Sequence, residues 1–419
     1  MKIPLKSSWL IFFLPLLVLG VISALIPFLK NLPDAIQTQL AVLPYLAIVG
    51  TGVLGSVFRK YRFVYLAVVL GVAYWNLQIT HAEQSPNSSL VDALYGVYFV
   101  INLVIINYLP EKRFFTIAGA GIFLSFITQL LFGKWLIVDF SEKVTGLLNY
   151  DLDLLIGFVN RTNLPTVVLL LYVAASVFLF LRYGKTRSVF ESGFLGTLVA
   201  TALMLNSEMT PPSAGMFMLA AGLIAMSALV QNSYFIAYID ELTELPGRRA
   251  LNEELARLRG QYCIAMLDVD HFKKFNDTHG HDLGDQVLRM VAAKLGRVSG
   301  GGKAFRYGGE EFCIVFSSKD MKTAFPHLSA VRQSIDETRM IQRSKDRPKS
   351  RPDIIPKKTR KFKEVHVTIS IGVAEKIPEL EQPEDVLKAA DKALYVAKEK
   401  GRNRISQYGI KLVEVPINT

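Results

Sequence analysis

The hydrophobic positions divide the chain into two parts that predict different structures. Up to about residue 230, apolar residues form runs near the ~20 residues that a helix needs to cross a bilayer. Farther along, short apolar runs alternate with polar turns, as in a globular domain. The long runs predict an all-α transmembrane bundle of about eight helices, at residues 9–29, 39–58, 63–79, 90–109, 114–132, 165–181, 189–205 and 214–230.

Charged residues between these runs predict the orientation of the bundle. Lys and Arg are concentrated near the N terminus and at 59–62, 112–113 and 182–187, while Asp and Glu predominate in the alternate connections. Because cytoplasmic connections carry the excess of Lys and Arg, both termini and the C-terminal domain are expected in the cytoplasm. The first run is too long for a cleaved signal peptide, so it is expected to stay as a helix.

The long outer connection, 133–164, leaves several interpretations open. Its apolar stretch at 154–159 is compatible with an interfacial helix or a sensing lid, and equally with a plain connector. Ionisable residues do not cluster in the middle of the predicted spans, which disfavours a transporter or a pump. The N-terminal region, 1–231, is therefore interpreted as a membrane anchor and sensor.

The pattern after the last span predicts a linker and one soluble domain. Residues 216–239 lack Pro, so the last helix is expected to continue past the membrane surface, with 232–243 as a signalling helix or linker. From residue 244 to the end, the elements read as helix, strand, helix, hairpin, helix, strand and helix. That order predicts an α+β sheet of the ferredoxin-like type.

Composition adds constraints on partners and redox chemistry. The 419 residues are 51% hydrophobic and carry a formal net charge of +11. Much of the charge lies in an apparent basic insertion, 343–363, which is either a solvated loop or a contact for anionic lipid. Nucleic acid is not an expected partner, because aromatic residues do not interleave with these cations. Cys263 and Cys313 lack metal-ligand spacing and are expected to be buried and unreactive.

Carboxylates occur at two turns of the soluble domain. Asp268 ends a buried strand, a usual position for a carboxylate that holds a hard cation. Gly308 and Gly309 separate two β-prone runs and predict a two-residue hairpin turn with positive φ at both glycines. Glu310 and Glu311 follow at once, and on a strand one of them would face the site while the other supports it or meets solvent. By itself, an acidic hairpin tip is also typical of a solvated turn.

Five motifs in this order resemble the GGDEF diguanylate cyclase family. They are DELTELPGRR at 240–249, DVDHFKKFNDTHGHDLGD at 268–285, FRYGGEEF at 305–312, VTISIGVA at 367–374 and ADKALYVAKEKGRNR at 390–404. The resemblance covers only the C-terminal domain. It implies an α+β fold similar to the palm of nucleotide cyclases and polymerases.

The resemblance implies a role for each matching residue. Asp268 and Glu310 are expected to bind Mg²⁺ or Mn²⁺ with the Val269 carbonyl, and Glu311 is expected to bind a second ion or help to deprotonate the attacking hydroxyl. Arg306 is expected to support the hairpin. The implied substrate-binding residues are Asn276 and Asp285 at the guanine edge, Lys273, Lys398 and Arg402 at the phosphates, and Phe272, Gly308 and Gly309 around the nucleotide.

The implied function is that of a membrane-bound diguanylate cyclase. Two GTP would condense into cyclic di-GMP and pyrophosphate across a homodimer, in the inner membrane of a bacterium, in a pathway that favours biofilm over swimming. The alternative is a catalytically silent receptor that binds GTP or cyclic di-GMP and acts by protein contact. Incubation with GTP and Mg²⁺ would separate the two.

Three positions, in two motifs, depart from the family pattern. Many members carry an inhibitory Arg-x-x-Asp site, but Ser299 and Gly302 stand at those positions here, so no inhibitory site is expected. Gly247 replaces the usual Asn before the arginine pair. That replacement bears on the geometry of the junction rather than on the chemistry.

Overall fold

The computed structural model describes residues 5–83, 88–109, 111, 116–148, 162–207, 211–342 and 363–409. The chain divides into two compact units, Met1–Phe235 and Ile236–Thr419. The apolar stretch at 154–159 lies outside the described residues, and so does the basic insertion except for its last residue.

The first unit is helical over its described residues. Eight of its stretches are long and apolar enough to cross a membrane, as predicted, with α2 and α3 together forming the second stretch. The helices are α1 (Leu5–Leu29), α2 (Asp34–Leu40), α3 (Leu43–Val57), α4 (Tyr61–Ala82), α5 (Ser88–Tyr108), α6 (Ile117–Leu148), α7 (Thr166–Thr186), α8 (Val189–Asn206) and α9 (Pro211–Tyr238).

Helix α6 is longer than the sequence pattern predicts. The apolar run ends at residue 132, and the polar residues after it were interpreted as a connection. The helix continues to Leu148, with one non-helical residue, Phe140, at a kink. Polar residues lower the local hydropathy, but they do not break the backbone hydrogen bonds of a helix. The hydropathy pattern therefore placed the end of the helix too early, at residue 132.

Buried charge in the first unit lies at helix ends. Glu191, in the first turn of α8, is 4% exposed. Its carboxylate accepts hydrogen bonds from Arg182 at 2.5 Å and from Asn107 at 2.6 Å, near the ends of α7 and α5. A buried charge with two such partners is compensated, so this cluster has a structural explanation.

The second unit confirms the predicted order of elements and adds four that were not foreseen. One predicted helix is divided into α11 and α12, β4 and β5 form a separate ribbon, and β7 lies at the edge of the sheet. The elements are α10 (Arg248–Arg257), β1 (Tyr262–Val269), α11 (Phe272–His279), α12 (His281–Leu295), β2 (Lys303–Gly308), β3 (Glu311–Ser317), α13 (Met321–Asp336), β4 (Met340–Gln342), β5 (Lys363–Val365), β6 (Ile369–Glu375), α14 (Pro383–Glu399) and β7 (Ile405–Gln407).

The five-stranded sheet places β1 at its centre, in the order β2-β3-β1-β6-β7. Strand β1 is antiparallel to both β3 and β6, while β6 and β7 are parallel. The separate ribbon pairs Gln342 with Lys363, so it joins the two ends of the basic insertion.

Alternation along β1 separates two hydrophobic cores. Cys263, Ala265 and Leu267 pack with residues of α12 and α13, whereas Tyr262, Ile264 and Met266 pack with residues of α10 and α14. Because side chains alternate along a strand, Asp268 continues the second series and faces the α14 side. The sheet therefore directs the acid at its central strand end toward the helix that carries Lys398.

Both cysteines are free and buried. Burial raises the pKa of Cys263 to about 12, with smaller contributions from Glu375 and Asp320. Since the thiolate is the reactive form, Cys263 is protonated and unreactive at neutral pH, as the sequence predicted.

Candidate active site

The acidic residues of the two motifs meet at one end of the sheet. Asp268 lies directly across from Glu311 in the pairing of β1 with β3. The amide of Val269 donates to the carbonyl of Glu310 at 3.3 Å. Directly opposed residues of two strands share a face of the sheet, so the structure brings Asp268 to the same side as Glu311, with Glu310 adjoining.

The hairpin turn is shifted by one residue from the predicted position. Gly308 still belongs to β2 and pairs with Glu311, so the turn residues are Gly309 and Glu310. Only Gly309 has a positive φ, 50°, and a bulge lies between Arg306 and Gly308. The prediction of positive φ at both glycines was therefore wrong, because the bulge adds one residue to β2.

This shift changes the position of Glu310. The residue lies in the turn rather than on the strand, so strand alternation does not send it away from Glu311. Both side chains are half-buried. The expectation that one carboxylate faces the site while the other supports it or meets solvent stays a prediction.

The three carboxylates share an electrostatic environment. Burial raises the pKa of Asp268, although the hydrogen bond and charge of Lys398 act in the opposite direction. Burial also raises the pKa of Glu310 and of Glu311, and the negative charge of Asp268 raises both further. Such a cluster is unfavourable without a cation, which is the condition that favours binding of a divalent metal ion.

Lys398 places a positive charge beside the acidic residues. Its ammonium lies 2.9 Å from an Asp268 carboxylate oxygen. Helix α14 reaches this position because it packs directly on β6: a Cβ at Gly372 would overlap backbone atoms of Leu394 and Ala390. Arg402 lies beyond the end of α14, and its charge also lowers the pKa of Asp268 against the effect of burial.

The acidic residues fit a magnesium ion that is completed by substrate. Within the described residues, no group of three or more His, Cys, Asp and Glu side chains is arranged as a metal site. Mg²⁺ commonly binds one or two carboxylates and takes its remaining oxygen ligands from water and phosphate. Asp268 and Glu310 meet that requirement, and the side chain of Val269 lies in the core, so only its backbone is available.

A second group of predicted residues lies on α11 and α12. Asn276 and Gly284 are so close that a Cβ at Gly284 would overlap the Asn276 amide oxygen. That oxygen is buried and has no hydrogen-bond partner. Asp285 follows on α12 and is half-buried. A buried acceptor without a partner is costly, and a ligand that donates a hydrogen bond would remove the cost.

The remaining predicted substrate residues lie at the start of α11 and at the hairpin turn. The Phe272 side chain is buried against the core at the start of α11, whereas Lys273 is exposed. Gly309 is exposed at the hairpin turn, beside Gly308 at the end of β2. These positions leave Lys273 and the hairpin backbone accessible to a nucleotide.

Arg306 connects the hairpin to the start of the domain. Its guanidinium donates to the Gly309 carbonyl at 2.8 Å and pairs with Asp240 at 2.6 Å. Asp240 also accepts from the amide and hydroxyl of Thr243, at 2.8 Å and 2.6 Å. The predicted support of the hairpin by Arg306 thus extends to the segment that follows α9.

The junction turn does not depend on a glycine at 247. The amide of Gly247 donates to the Tyr238 carbonyl at 2.7 Å, and its φ is −87°. A Cβ there would make only ordinary contacts, the nearest with the Tyr238 carbonyl oxygen at 3.7 Å. An Asn at this position would fit the same turn.

Removing the Asp240 charge is expected to loosen this junction. Burial alone would raise the pKa of Asp240, but hydrogen bonds from Thr243 and Arg306 outweigh it and lower the pKa. The resulting stabilisation is present above the unfolded pKa of about 3.9 and disappears as the pH falls through the folded value. At neutral pH, Asp240→Asn is expected to speed amide exchange at 238–247 by about tenfold or more.

The measurement is hydrogen exchange of the full chain. Glu381→Gln, at an exposed carboxylate, is the matched control and should leave the junction unchanged. Equal exchange in Asp240→Asn and wild type at neutral pH would show that the ion pair contributes nothing there.

The raised pKa values also predict how pH affects metal binding. A carboxylate must be ionised to bind Mg²⁺, so protons compete with the metal. Because burial raises the pKa of Asp268, Glu310 and Glu311, this competition begins at a higher pH than for exposed carboxylates. The Mg²⁺ concentration at which half of the protein has bound the ion is expected to rise as the pH falls from about 8 to about 6. A constant half-maximal concentration across that range would contradict the argument.

The spacing of the motif residues did not reveal the role of Asp270. Asp270 is 6% exposed and accepts hydrogen bonds from Ser370 on β6, from Thr368 just before β6, and from the Asn403 amide. Its place two residues after Asp268 was the only sequence signal.

Comparisons with known proteins identify the C-terminal domain. Residues 237–404 match the family model described as "Diguanylate cyclase, GGDEF domain". Diguanylate cyclase VdcA of Vibrio cholerae is 37% identical over 173 residues, which are 40% of this chain and 46% of VdcA. The response regulator PleD of Caulobacter vibrioides is 35% identical over 185 residues, 42% of this chain and 37% of PleD. The chain therefore spans less than half of these relatives.

Solved structures of similar sequence include the coiled coil and GGDEF domain of DgcB from Caulobacter crescentus in complex with c-di-GMP. That chain is 33% identical, with a TM-score of 0.37, covering 42% of this chain and 89% of its own. The sequence matches show that the C-terminal domain is a GGDEF domain with relatives named diguanylate cyclases.

Proposed function

We propose that this chain, whose residues 237–404 form a GGDEF domain, is a membrane-bound diguanylate cyclase. Its substrate would be GTP, and its products cyclic di-GMP and pyrophosphate. The observation that carries the proposal is the meeting of Asp268 and Glu310 at one end of the sheet, beside Lys398. A nucleotidyl transferase needs this combination, because anionic oxygens hold the metal and cations hold the phosphates.

Different side chains would bind the metal ion and the phosphates. Asp268 and Glu310, with the Val269 carbonyl, would hold Mg²⁺ or Mn²⁺, which neutralises charge on the phosphates when bound. Lys273, Lys398 and Arg402 would bind the phosphate oxygens. Lys398 lies 2.9 Å from Asp268, so its ammonium would be close to phosphate oxygens that share the metal with that carboxylate.

The guanine base fits the group on α11 and α12. The amide oxygen of Asn276 is an acceptor in need of a donor, and guanine presents a ring N–H and an amine. The Asp285 carboxylate adds acceptors beside it. Adenine offers an acceptor in place of the ring N–H, so this pair supports a preference for GTP over ATP.

The reaction requires two GTP molecules that face each other. The 3′-hydroxyl of one would attack the α-phosphorus of the other, its proton passing to a nearby base, and pyrophosphate would leave. A second attack, by the 3′-hydroxyl of the other nucleotide on the remaining α-phosphorus, would close the ring and release a second pyrophosphate. Glu311, half-buried next to Asp268 and with a raised pKa, is positioned to receive that proton or to bind a second ion. A single domain provides one nucleotide site, so we propose that a homodimer is the active form.

The N-terminal unit is proposed to anchor and regulate the enzyme. We divide the chain into a transmembrane region, 1–231, a signalling helix or linker, 232–243, and the GGDEF domain, 244–419. Helix α9 extends to Tyr238. Asp240, two residues later, pairs with Arg306, which belongs to the hairpin strand β2. Orientation by basic connections would place the enzyme on the cytoplasmic face of a bacterial inner membrane, with biofilm formation as the output.

The direct test is turnover of GTP by the purified full chain in lipid nanodiscs with Mg²⁺. We expect release of pyrophosphate from GTP and a much slower release from ATP. GTP that binds but remains unchanged, even when two copies are linked, would favour the alternative of a catalytically silent receptor.

The product is not expected to inhibit the enzyme through the loop after α12. The positions of an inhibitory Arg-x-x-Asp site hold Ser299 and Gly302, which provide neither a cation nor a carboxylate. Ser299 instead bonds to His327 at 2.8 Å. The rate of pyrophosphate release should stay unchanged when micromolar cyclic di-GMP is added. Inhibition that Ser299→Ala relieves would contradict this expectation.

A further inference from the structure

The loop between α14 and β7 holds three consecutive residues with left-handed backbone angles. The φ values are 108° at Gly401, 62° at Arg402 and 46° at Asn403. Non-glycine residues adopt this conformation only where the surrounding structure imposes it. The contacts of Asn403 therefore determine the direction in which Arg402 leaves the loop.

Three charged side chains, Asp270, Arg332 and Asp336, form hydrogen bonds with Asn403. The Asp270 carboxylate accepts a hydrogen bond from the Asn403 amide at 3.1 Å. The Arg332 guanidinium, from α13, donates to the Asn403 carbonyl at 3.1 Å and to its side-chain oxygen at 2.8 Å. Both the donor and the acceptors of this residue are thus bound by groups that are distant in sequence.

Asp270 and Arg332 are themselves fixed. Asp270 accepts from the hydroxyls of Thr368 and Ser370, each at 2.6 Å, so both of its oxygens are occupied by protein donors. Arg332 is 25% exposed and lies 3.9 Å from Asp336 on the same helix. With its oxygens used in this way, Asp270 is a structural neighbour of the metal site rather than a ligand in it.

The loop carries Arg402, whose positive charge acts on Asp268. Lys398, four residues before Arg402, already contacts Asp268 at 2.9 Å. Helix α14 ends in a capped turn in which the Arg402 amide donates to the Ala397 carbonyl at 3.0 Å. The position of Arg402 is therefore defined by the helix end on one side and by Asn403 on the other.

We propose that Asp270 and Arg332 are positioning residues that hold Asn403 and thereby orient Arg402 toward the phosphates of the bound nucleotide. The inference rests on the nucleotide site proposed above. It predicts a loss of affinity that is specific for the phosphates. Among the described residues, no hydrogen bond joins this loop to the guanine-binding residues on α11 and α12.

The experiment compares two probes on the full chain in lipid nanodiscs: a non-hydrolysable GTP analogue and guanosine. Arg332→Ala, and separately Asp270→Asn, are expected to weaken binding of the analogue by about tenfold, the usual size of a lost charge-assisted contact. Binding of guanosine should not change. Equal weakening of both ligands would show a general loss of structure and overturn the proposal.

A double-mutant cycle tests whether the effect passes through Arg402. In the background of Arg402→Ala, adding Arg332→Ala should cause no further loss of affinity. Additive losses would overturn the proposal. Arg257→Ala removes the same charge from a side chain that is 74% exposed on α10 and should leave both affinities unchanged.

These binding measurements do not depend on catalysis. If the wild type binds the analogue but forms no cyclic product, the proposed activity fails while the test of the loop still stands. If Asp270→Asn instead shifts only the Mg²⁺ requirement, Asp270 is a metal ligand and the proposal is wrong. Failure of the wild type to bind either probe would overturn both proposals.

Discussion

Replacing Glu310 by Gln is expected to lower the turnover of GTP by roughly 10²- to 10³-fold, the range for loss of one preorganised electrostatic contact in an active site. Glutamine keeps the size of the side chain but removes the charge that would hold the metal. The hydrogen bond from the Val269 amide to the Glu310 carbonyl holds this residue in the turn, beside the end of β1 that carries Asp268. Steady-state release of pyrophosphate at saturating GTP measures the effect.

The variant should remain folded, which separates loss of chemistry from loss of structure. Burial raises the pKa of Glu310, so at neutral pH its charge costs folding free energy. Glu310→Gln is therefore expected to unfold at the same temperature as the metal-free wild type or higher. Activity within a few-fold of wild type in a folded variant would exclude Glu310 as a metal ligand.

Replacing Asn276 by Ala is expected to reduce the preference for GTP over ATP by roughly 10²-fold. The Asn276 amide oxygen is buried without a partner, so the wild-type site penalises any base that fails to donate to it. Alanine removes both the contact with guanine and the penalty for adenine. The ratio of kcat/KM for the two nucleotides measures this change.

Gln286 provides a matched amide for comparison. It lies exposed on α12, one residue after Asp285, and its side chain donates to the Asp282 carbonyl at 3.3 Å. Gln286→Ala should leave the preference unchanged. A ratio that stays at the wild-type value in Asn276→Ala would place the guanine base elsewhere.

The elements that hold the acidic site follow from local sequence. An apolar run that ends in Asp268 predicts a buried strand, and all eight residues of β1 are buried. The double glycine predicts a hairpin, and β2 and β3 form one. These predictions succeeded because strand alternation and turn chemistry act over a few residues.

The predictions that failed concern details that local sequence does not encode. The bulge that moves Glu310 into the turn depends on register between strands, not on the glycine pair alone. The extension of α6 to Leu148 crosses polar residues that resemble a connection. Both depend on tertiary context, which overrides local pattern.

The spacing of residues along the sequence also did not reveal the contacts that orient the site. Asp240 and Arg306 are 66 residues apart, and Asp270 and Asn403 are 133 apart, yet each pair shares a hydrogen bond. The family motifs marked the residues near the nucleotide. They did not indicate which neighbours hold the hairpin or the loop after α14.

The most direct test of the account is a structure of the full chain with Mn²⁺ and a non-hydrolysable GTP analogue. We predict that Mn²⁺ lies about 2.1 Å from carboxylate oxygens of both Asp268 and Glu310, with the guanine edge at Asn276. Mn²⁺ bound to neither carboxylate, or guanine bound away from Asn276, would contradict it.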